Sequence, residues 1–436
     1  MLCRITPPFA VRIRPVTSPS FARACGIDFG TSNSTVGWVR PGANTLISLE
    51  DGKATLPSMV FFNAEEDSVC YGRAAMGEYL EGYEGRLMRS LKSLLGSSLI
   101  DAQTEVNGRA LPLRGLLAKY IGELKLRAEA AAGRPFEQAV FGRPVHFVDD
   151  DAAADAQAEK TLAEIAYQVG FKEISFQFEP IAAAFHYECT IQKEELVLIV
   201  DIGGGTSDFS LVRLSPERAQ LLDRREDLLA SAGVHIGGTD FDKALSLAGV
   251  MPLLGYKTRL KNNSEVPSGT FFNLATWHTI NFAYTRRSWT DLVDVYRDAL
   301  ERDKLDRLMS LIEQRAGHWL AMQVEDAKIA LSANQRTILT LDRLEDGLTH
   351  ELSRAEFDTS IERLVESVEK TVTGLLTTAG MRVEQVDTVF FTGGSSGVPL
   401  LRSQVAALLP NARHVEGDLF GSIGTGLAVE AARRFG

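Results

Sequence analysis

The chain has no apolar run near the roughly 18 positions that a membrane-spanning helix needs. Its 45% hydrophobic and 24% charged residues are those of an ordinary soluble globular protein. Cysteine spacing of a useful kind is also missing: Cys3, Cys25, Cys70 and Cys189 stand apart without a C-x-x-C pair, which fits reduced thiols in the cytoplasm rather than a disulfide framework. The seven histidines are equally dispersed, so no zinc site is expected. Nor is there a basic excess, since 46 Lys and Arg against 57 Asp and Glu leave a net charge of −11. Nucleic-acid and anionic-membrane binders need a basic footprint, so an anionic ligand here has to be held by local geometry. Residues 1–23 carry arginines and prolines without one acid. They lack the apolar centre of a secretory leader and are expected to form a disordered extension.

What is present is length and an internal repeat. A chain of 436 residues exceeds what one hydrophobic core usually serves, so two or more lobes and a cleft between them are expected. "GIDFGTSNSTVGWV" at 26–39 resembles "VDIGGGTSDFSLV" at 200–212. Aligned without a gap, Asp28 meets Asp201, Gly30 meets Gly203 and Ser34 meets Ser207. Each copy reads as strand, glycine-rich turn, strand. Glycine lets the backbone turn successive N–H groups toward one anion, and Thr or Ser hydroxyls add donors. A carboxylate at the strand end repels phosphate but can hold a hydrated Mg²⁺ that binds it. Asp28 and Asp201 are therefore metal candidates, although one such hairpin alone reads equally as a glycine turn with a solvated Asp. A third apolar strand runs into "TGGSSGVP" at 392–399, a strand, glycine turn and helix start of the kind that nucleotides approach.

These residues carry a family resemblance. "GIDFGTSNSTV", "VDIGGGTSDFS" and "FTGGSSGVP" resemble the two phosphate motifs and the adenosine motif of the actin-like ATPase superfamily, and specifically of the heat-shock 70 kDa (DnaK-type) chaperones. "RSLKSLLG" at 89–96, "FEPIAAAFHY" at 178–187, "GVHIGGTDFD" at 233–242 and "VEDAKIALS" at 324–332 agree in order and spacing. The resemblance covers about residue 24 to the C-terminus. It implies an α/β actin-like ATPase fold: two lobes, each with a duplicated ribonuclease-H-like mixed sheet flanked by helices, and a nucleotide cleft between them. Lobe I is expected over 24–191 and 415–436, and lobe II over 196–413, with 234–352 as its peripheral subdomain.

The implied ligand is ATP or ADP with Mg²⁺, and the implied reaction is slow hydrolysis. Asp28 and Asp201 would hold the metal. Gly30, Thr31, Ser32 and Asn33, with Gly203, Gly204, Gly205 and Thr206, would donate to the phosphates. Lys92 would offset charge on the γ-phosphoryl, while Glu179 and Asp208 orient the attacking water with Thr206 beside them. Glu325, Lys328 and Ser332, on one helical face, would meet ribose and base together with Gly393, Gly394 and Ser395. Taken without the family, Lys92 reads as a surface lysine, Glu179 as a charged helix start, and the 325–332 stripe as a solvated face.

The chain departs from the pattern in three ways. It stops at "AVEAARRFG", where the family continues into a peptide-binding domain, as in the short YegD-like branch of chaperone relatives. The positions of the family's two adenine-sandwiching arginines fall on Ile329 and Gly397. Residues 250–323 match poorly, and the aromatic run at 271–296 reads either as subdomain core or as a surface for a protein partner or client. Ser353 with Glu356 forms a capping box before a long core helix, and the acids at 149–151 open another. A small-molecule kinase of the same superfamily and a nucleotide-dependent filament protein are the rival readings.

Overall fold

The computed structural model describes residues 24–40, 42–97, 99–106, 108–148 and 151–436; the expected extension at 1–23 lies outside them. Two five-stranded mixed sheets organise the chain. The first contains β1 (Ala24–Phe29), β2 (Asn33–Gly37), β3 (Thr55–Pro57), β4 (Gln138–Arg143) and β5 (Glu173–Phe178), in the order β5-β4-β1-β2-β3. The second contains β6 (Glu195–Ile202), β7 (Ser207–Leu214), β8 (Leu228–Val234), β9 (Thr388–Thr392) and β10 (Arg413–Glu416), in the order β8-β7-β6-β9-β10. In both, the first strand is central, its hairpin partner and the next strand run antiparallel on one side, and the last two run parallel on the other. This is the two-lobed actin-like ATPase architecture. The central strands read as nearly continuous apolar runs, ACGIDF and ELVLIVDI, because helices cover both faces of such sheets.

The repeat in the sequence reappears as register. Phe29 pairs with Ser34 and Ile202 with Ser207, so both hairpins turn at the same place. One residue earlier, Asp28 lies opposite Thr35 and Asp201 opposite Asp208. Directly opposed side chains share one face of a sheet; in the second hairpin that puts two carboxylates side by side.

Eight helices matter for the site: α1 (Leu113–Ala132), α2 (Ala152–Gln168), α3 (Glu179–Glu188), α4 (Gly238–Leu245), α5 (Gly317–Ala333), α6 (Arg354–Thr378), α7 (Pro399–Leu408) and α8 (Ser422–Phe435). Asp151 caps α2 by accepting from the N–H groups of Ala153 and Ala154. Ser353 and Glu356 form the expected capping box on α6, whose Phe357, Ile361, Val365, Val368 and Val372 are buried. The short helix α3 bridges the lobes. Its Ala182 packs with Val140 and Leu427 on the first sheet's side, while Ile181, Ala183, Ala184 and Tyr187 pack with Val197, Ile199 and Phe390 of the second. Helix α8 crosses it at backbone distance, since a Cβ on Gly426 would stand 1.9 Å from the Ala182 carbonyl oxygen. Whatever holds α3 therefore holds both lobes.

The aromatic run divides. Phe271, Leu274, Ile280, Ala283 and Leu292 enter the main lobe II core, whereas Phe272 and Phe282 are exposed. The run thus contributes to both core and surface. Among the described residues no helix is long and apolar enough to cross a membrane.

Candidate nucleotide cleft

A cleft of about 920 Å³ runs between the lobes, floored by the two repeated hairpins. The first turn is braced from β3's side: Ser58 donates its hydroxyl to the Gly30 carbonyl at 2.6 Å and its N–H to the Ser32 carbonyl at 2.9 Å. The second turn is braced by α4. Gly238 and Thr239 donate N–H groups to the carbonyls of Gly203 and Gly204 at 3.0 and 2.8 Å. Gly237 has to be small there, since a Cβ would lie 2.6 Å from the backbone of Gly204 and Gly205. The third turn is tied to the second, with Ser395 N–H donating to the Ile202 carbonyl at 3.0 Å. Gly393 sits at φ +82°, and a Cβ on it would stand 2.3 Å from Asp201 Oδ1. Both a left-handed backbone and the neighbouring carboxylate thus demand glycine. The first two turns meet across the cleft, where a methyl on Gly204 would be 2.2 Å from Ser32 Oγ.

Carboxylates and one lysine gather at the floor. Lys92, in a short 3₁₀ turn at Leu91–Leu94, places Nζ 2.5 Å from Oε1 of Glu179 at the start of α3. Burial pushes Asp28 up to about 7, helped by Glu179 and opposed by Lys92. Asp201 is pushed up to about 8 by burial and by Asp208, Glu179 and Asp28. Burial works against the charge on Lys92, but Glu179, Asp28 and Asp208 outweigh it and hold the ammonium above the usual lysine range. Thr206 donates its hydroxyl to Asp208 Oδ2 at 3.0 Å. Two carboxylates this reluctant to ionise are hard oxygen donors short of a cation, a set that fits a hydrated divalent ion. Among the described residues no group of three or more His, Cys, Asp or Glu is arranged around a metal position, so water or phosphate has to complete any coordination.

The structure brings most of the expected residues to this cleft. Gly30, Thr31, Ser32, Asn33, Gly203, Gly204, Gly205, Thr206, Asp208, Glu325, Lys328, Gly393, Gly394 and Ser395 line it with Asp28, Asp201, Lys92 and Glu179. Ser332 does not. One turn beyond Lys328, its hydroxyl donates to the Lys328 carbonyl at 3.1 Å, the back-bonding that mid-helix serines adopt. Lys328 reaches the cleft but is occupied: its ammonium pairs with Asp242 at 2.8 Å and donates to the Gly238 carbonyl at 3.3 Å. Ile329 lines the cleft at 58% exposure, and Gly397 stays out of it.

Residues given no role by the sequence complete the walls: Arg89, His146, Trp277 and Phe420. Phe420, 54% exposed, lies against Gly394, where a Cβ would be 2.6 Å from its ring. Asp242 stood within the quoted "GGTDFD", but only its pairing with Lys328 marks it. Behind Glu179 a smaller chamber of about 70 Å³ is lined by His146, Asp201, Asp208 and Ser210.

Comparison with known proteins agrees with this geometry. The chain is 26% identical over 418 residues to a chaperone protein DnaK of Thermosipho melanesiensis, covering 93% of this chain and 58% of the relative. It is 27% identical to that of Thermosipho africanus over the same shares. A chaperone protein HscA homolog of Shewanella piezotolerans is 28% identical over 402 residues, covering 88% of this chain and 54% of the relative. The chain thus spans somewhat over half the length of these curated relatives. A family model described as Hsp70 protein matches residues 24–248 and 292–432, leaving out much of the aromatic stretch, and the chain belongs to the Hsp70 family.

Proposed function

We propose that the chain binds ATP with Mg²⁺ between its lobes and hydrolyses it slowly, acting as a chaperone-like nucleotide-driven switch. The convergence of two glycine turns on Asp28 and Asp201 beside the Lys92–Glu179 pair carries this reading. The Gly203 and Gly204 carbonyls are taken up by α4 and the Gly203 N–H by the Thr206 carbonyl, which leaves the N–H groups of Gly204 and Gly205 to serve phosphate oxygens. Held by Asp28 and Asp201, Mg²⁺ would neutralise phosphate charge as it develops. Lys92 remains cationic where the γ-phosphoryl sits, and Glu179 and Asp208 accept hydrogen bonds from the attacking water. Water's oxygen forms the new bond to phosphorus as the bond to the β-phosphate oxygen breaks, and the water's proton leaves by those carboxylates. The chamber behind Glu179, about 70 Å³, has room for an attacking water.

The partner role belongs to the same proposal. Because α3 carries Glu179 and packs on both lobes, a change at the γ-phosphate is mechanically linked to lobe position. A reducing, cytoplasmic setting is part of the reading, supported by free Cys25, Cys70 and Cys189. The names of the relatives suggest a protein client.

The test is binding and turnover by the purified chain, wild type against Asp201→Asn, with ATP, GTP and a panel of sugars and acids, with and without Mg²⁺. Mg²⁺-dependent ATP binding and turnover that Asp201→Asn weakens on the order of a hundredfold is expected. Absence of nucleotide binding would overturn the reading, and turnover stimulated strongly by one acceptor would replace it with the kinase.

A further inference from the structure

The chamber behind Glu179 is walled by the loop after β4, the start of α3 and the strands β6, β7 and β8. His146, in that loop, lines both the chamber and the cleft and is exposed. The loop is clamped on either side of it. Arg143 donates to the carbonyls of Pro144 and Val145 at 3.0 and 3.1 Å and pairs with Asp155 at 2.8 Å. The other oxygen of Asp155 accepts the Phe147 N–H at 2.6 Å. The Arg143 guanidinium also lies over the Phe147 and Phe178 rings, 5.4 and 5.2 Å from their centroids, and Phe178 directly precedes Glu179. One arginine thus fixes the backbone around His146 relative to Glu179. Among the described residues no hydrogen bond engages the His146 ring.

We propose that His146 is the proton relay of the hydrolysis, carrying the proton of the attacking water from the chamber to solvent. The other titratable groups on the chamber wall are committed. Glu179 accepts from Lys92, Asp208 accepts from the Thr206 hydroxyl, and Asp201 stands with Asp28 as a metal candidate. A proton left on these carboxylates has to move on before the next turnover. The charged groups on the loop's other side, Arg143, Asp155 and Glu159, are paired with one another, so the imidazole keeps its ring nitrogens for water. Histidine is the side chain that takes up and gives back a proton near neutral pH. As the water's oxygen bonds to phosphorus and the bond to the β-phosphate oxygen breaks, the O–H electron pair stays on the water's oxygen. The proton passes by Glu179 or Asp208 to a neutral imidazole nitrogen, whose lone pair forms the new N–H bond. The imidazolium then releases it to bulk water, which restores the neutral ring.

The inference rests on the nucleotide reading above, and the experiment separates the two. Single-turnover hydrolysis of ATP, with the chain in excess and Mg²⁺ saturating, is measured beside ATP affinity for wild type, His146→Ala and His146→Gln, each checked for an intact thermal transition. Both variants should bind ATP within about twofold of wild type and turn it over on the order of a hundredfold more slowly, the low end of what a positioned proton acceptor supplies. Added imidazole should speed His146→Ala by on the order of tenfold, whereas pyrazole, a ring of the same size and far weaker basicity, should not. Unchanged turnover in His146→Ala would overturn the relay. A slow variant that imidazole leaves slow, or that pyrazole restores equally, would overturn it too, since the ring then only fills space or braces the loop. Wild type that fails to bind ATP or to turn it over would overturn the hydrolysis reading itself, and the relay with it.

Discussion

Lys92 Nζ lies 2.5 Å from Glu179 Oε1, with each side chain only 12% exposed. The two come from different elements, a 3₁₀ turn and the first residue of α3, and neither is satisfied without the other. Charges this buried are tolerated when paired and costly when orphaned. The pair is therefore both a structural joint and a preorganised source of positive and negative charge beside Asp28 and Asp201.

Lys92→Ala should keep ATP binding and slow turnover about a hundred- to a thousandfold, the scale of losing one preorganised charge stabiliser. Single-turnover kinetics at saturating Mg²⁺ and ATP are the measurement. Unchanged turnover would remove Lys92 from the reaction.

Asp28 and Asp201 make the metal-free chain sensitive to alkaline pH. Their folded values of about 7 and 8 lie above the ordinary carboxylate value near ~4, so the folded chain keeps protons that the unfolded chain releases. Stability from these groups is present below about pH 4 and is lost as pH rises through the folded values. The melting temperature without nucleotide or metal should fall between about pH 5 and 8, and fall less in Asp201→Asn. Added Mg²⁺ should raise it more at pH 8 than at pH 6. A wild-type profile parallel to that of Asp201→Asn would contradict this.

Gly393→Ala and Gly237→Ala probe two different constraints. At Gly393 the backbone is left-handed and the new methyl would press on Asp201, so destabilisation of roughly 1–3 kcal/mol with loss of Mg²⁺-dependent ATP binding is expected. At Gly237 the methyl would press on the second turn, and weaker ATP binding should accompany the loss of stability. Denaturant titration and calorimetry read both, and full retention of ATP affinity in the two variants would show that the turns do not hold phosphate.

His318 gives the opposite pH signature. Burial depresses it to about 4, with Arg89 adding to the effect and a backbone hydrogen bond at Trp277 opposing it. Because the folded value lies below the usual imidazole value near ~6.5, its contribution is present above that pH and is lost as pH falls through the folded value. Hydrogen exchange around Trp277 should speed up between about pH 6.5 and 4 by more than the intrinsic chemistry explains, and His318→Gln should not show the extra increase. Identical profiles would mean that His318 takes up its proton at the same pH in the folded and the unfolded state.

How far the sequence reached depends on how local each feature is. The hairpins of Asp28 and Asp201 were legible because strand, turn and strand lie within a dozen residues, and their ungapped alignment became the register of β1–β2 and β6–β7. The Ser353 capping box was legible for the same reason. Lys92 and Glu179, 87 residues apart, carried no mutual signal and were singled out only through family resemblance. Ser332 was singled out through the resemblance, and its spacing with Lys328 does not say whether the hydroxyl looks into the cleft or, as the structure has it, back to the carbonyl four residues earlier.

By itself, the sequence determined the repeated strand and turn pattern, the glycines that let backbone approach an anion, and the acids at the strand ends, because these follow from backbone sterics and short-range hydrogen bonding. Only the tertiary structure decided which side chains face one another across the lobes: Lys328 turned onto Asp242, Arg89 laid on Trp277, α3 packed against both sheets. Such contacts join residues far apart in the chain, and they exist only where the packing of two cores brings their surfaces together.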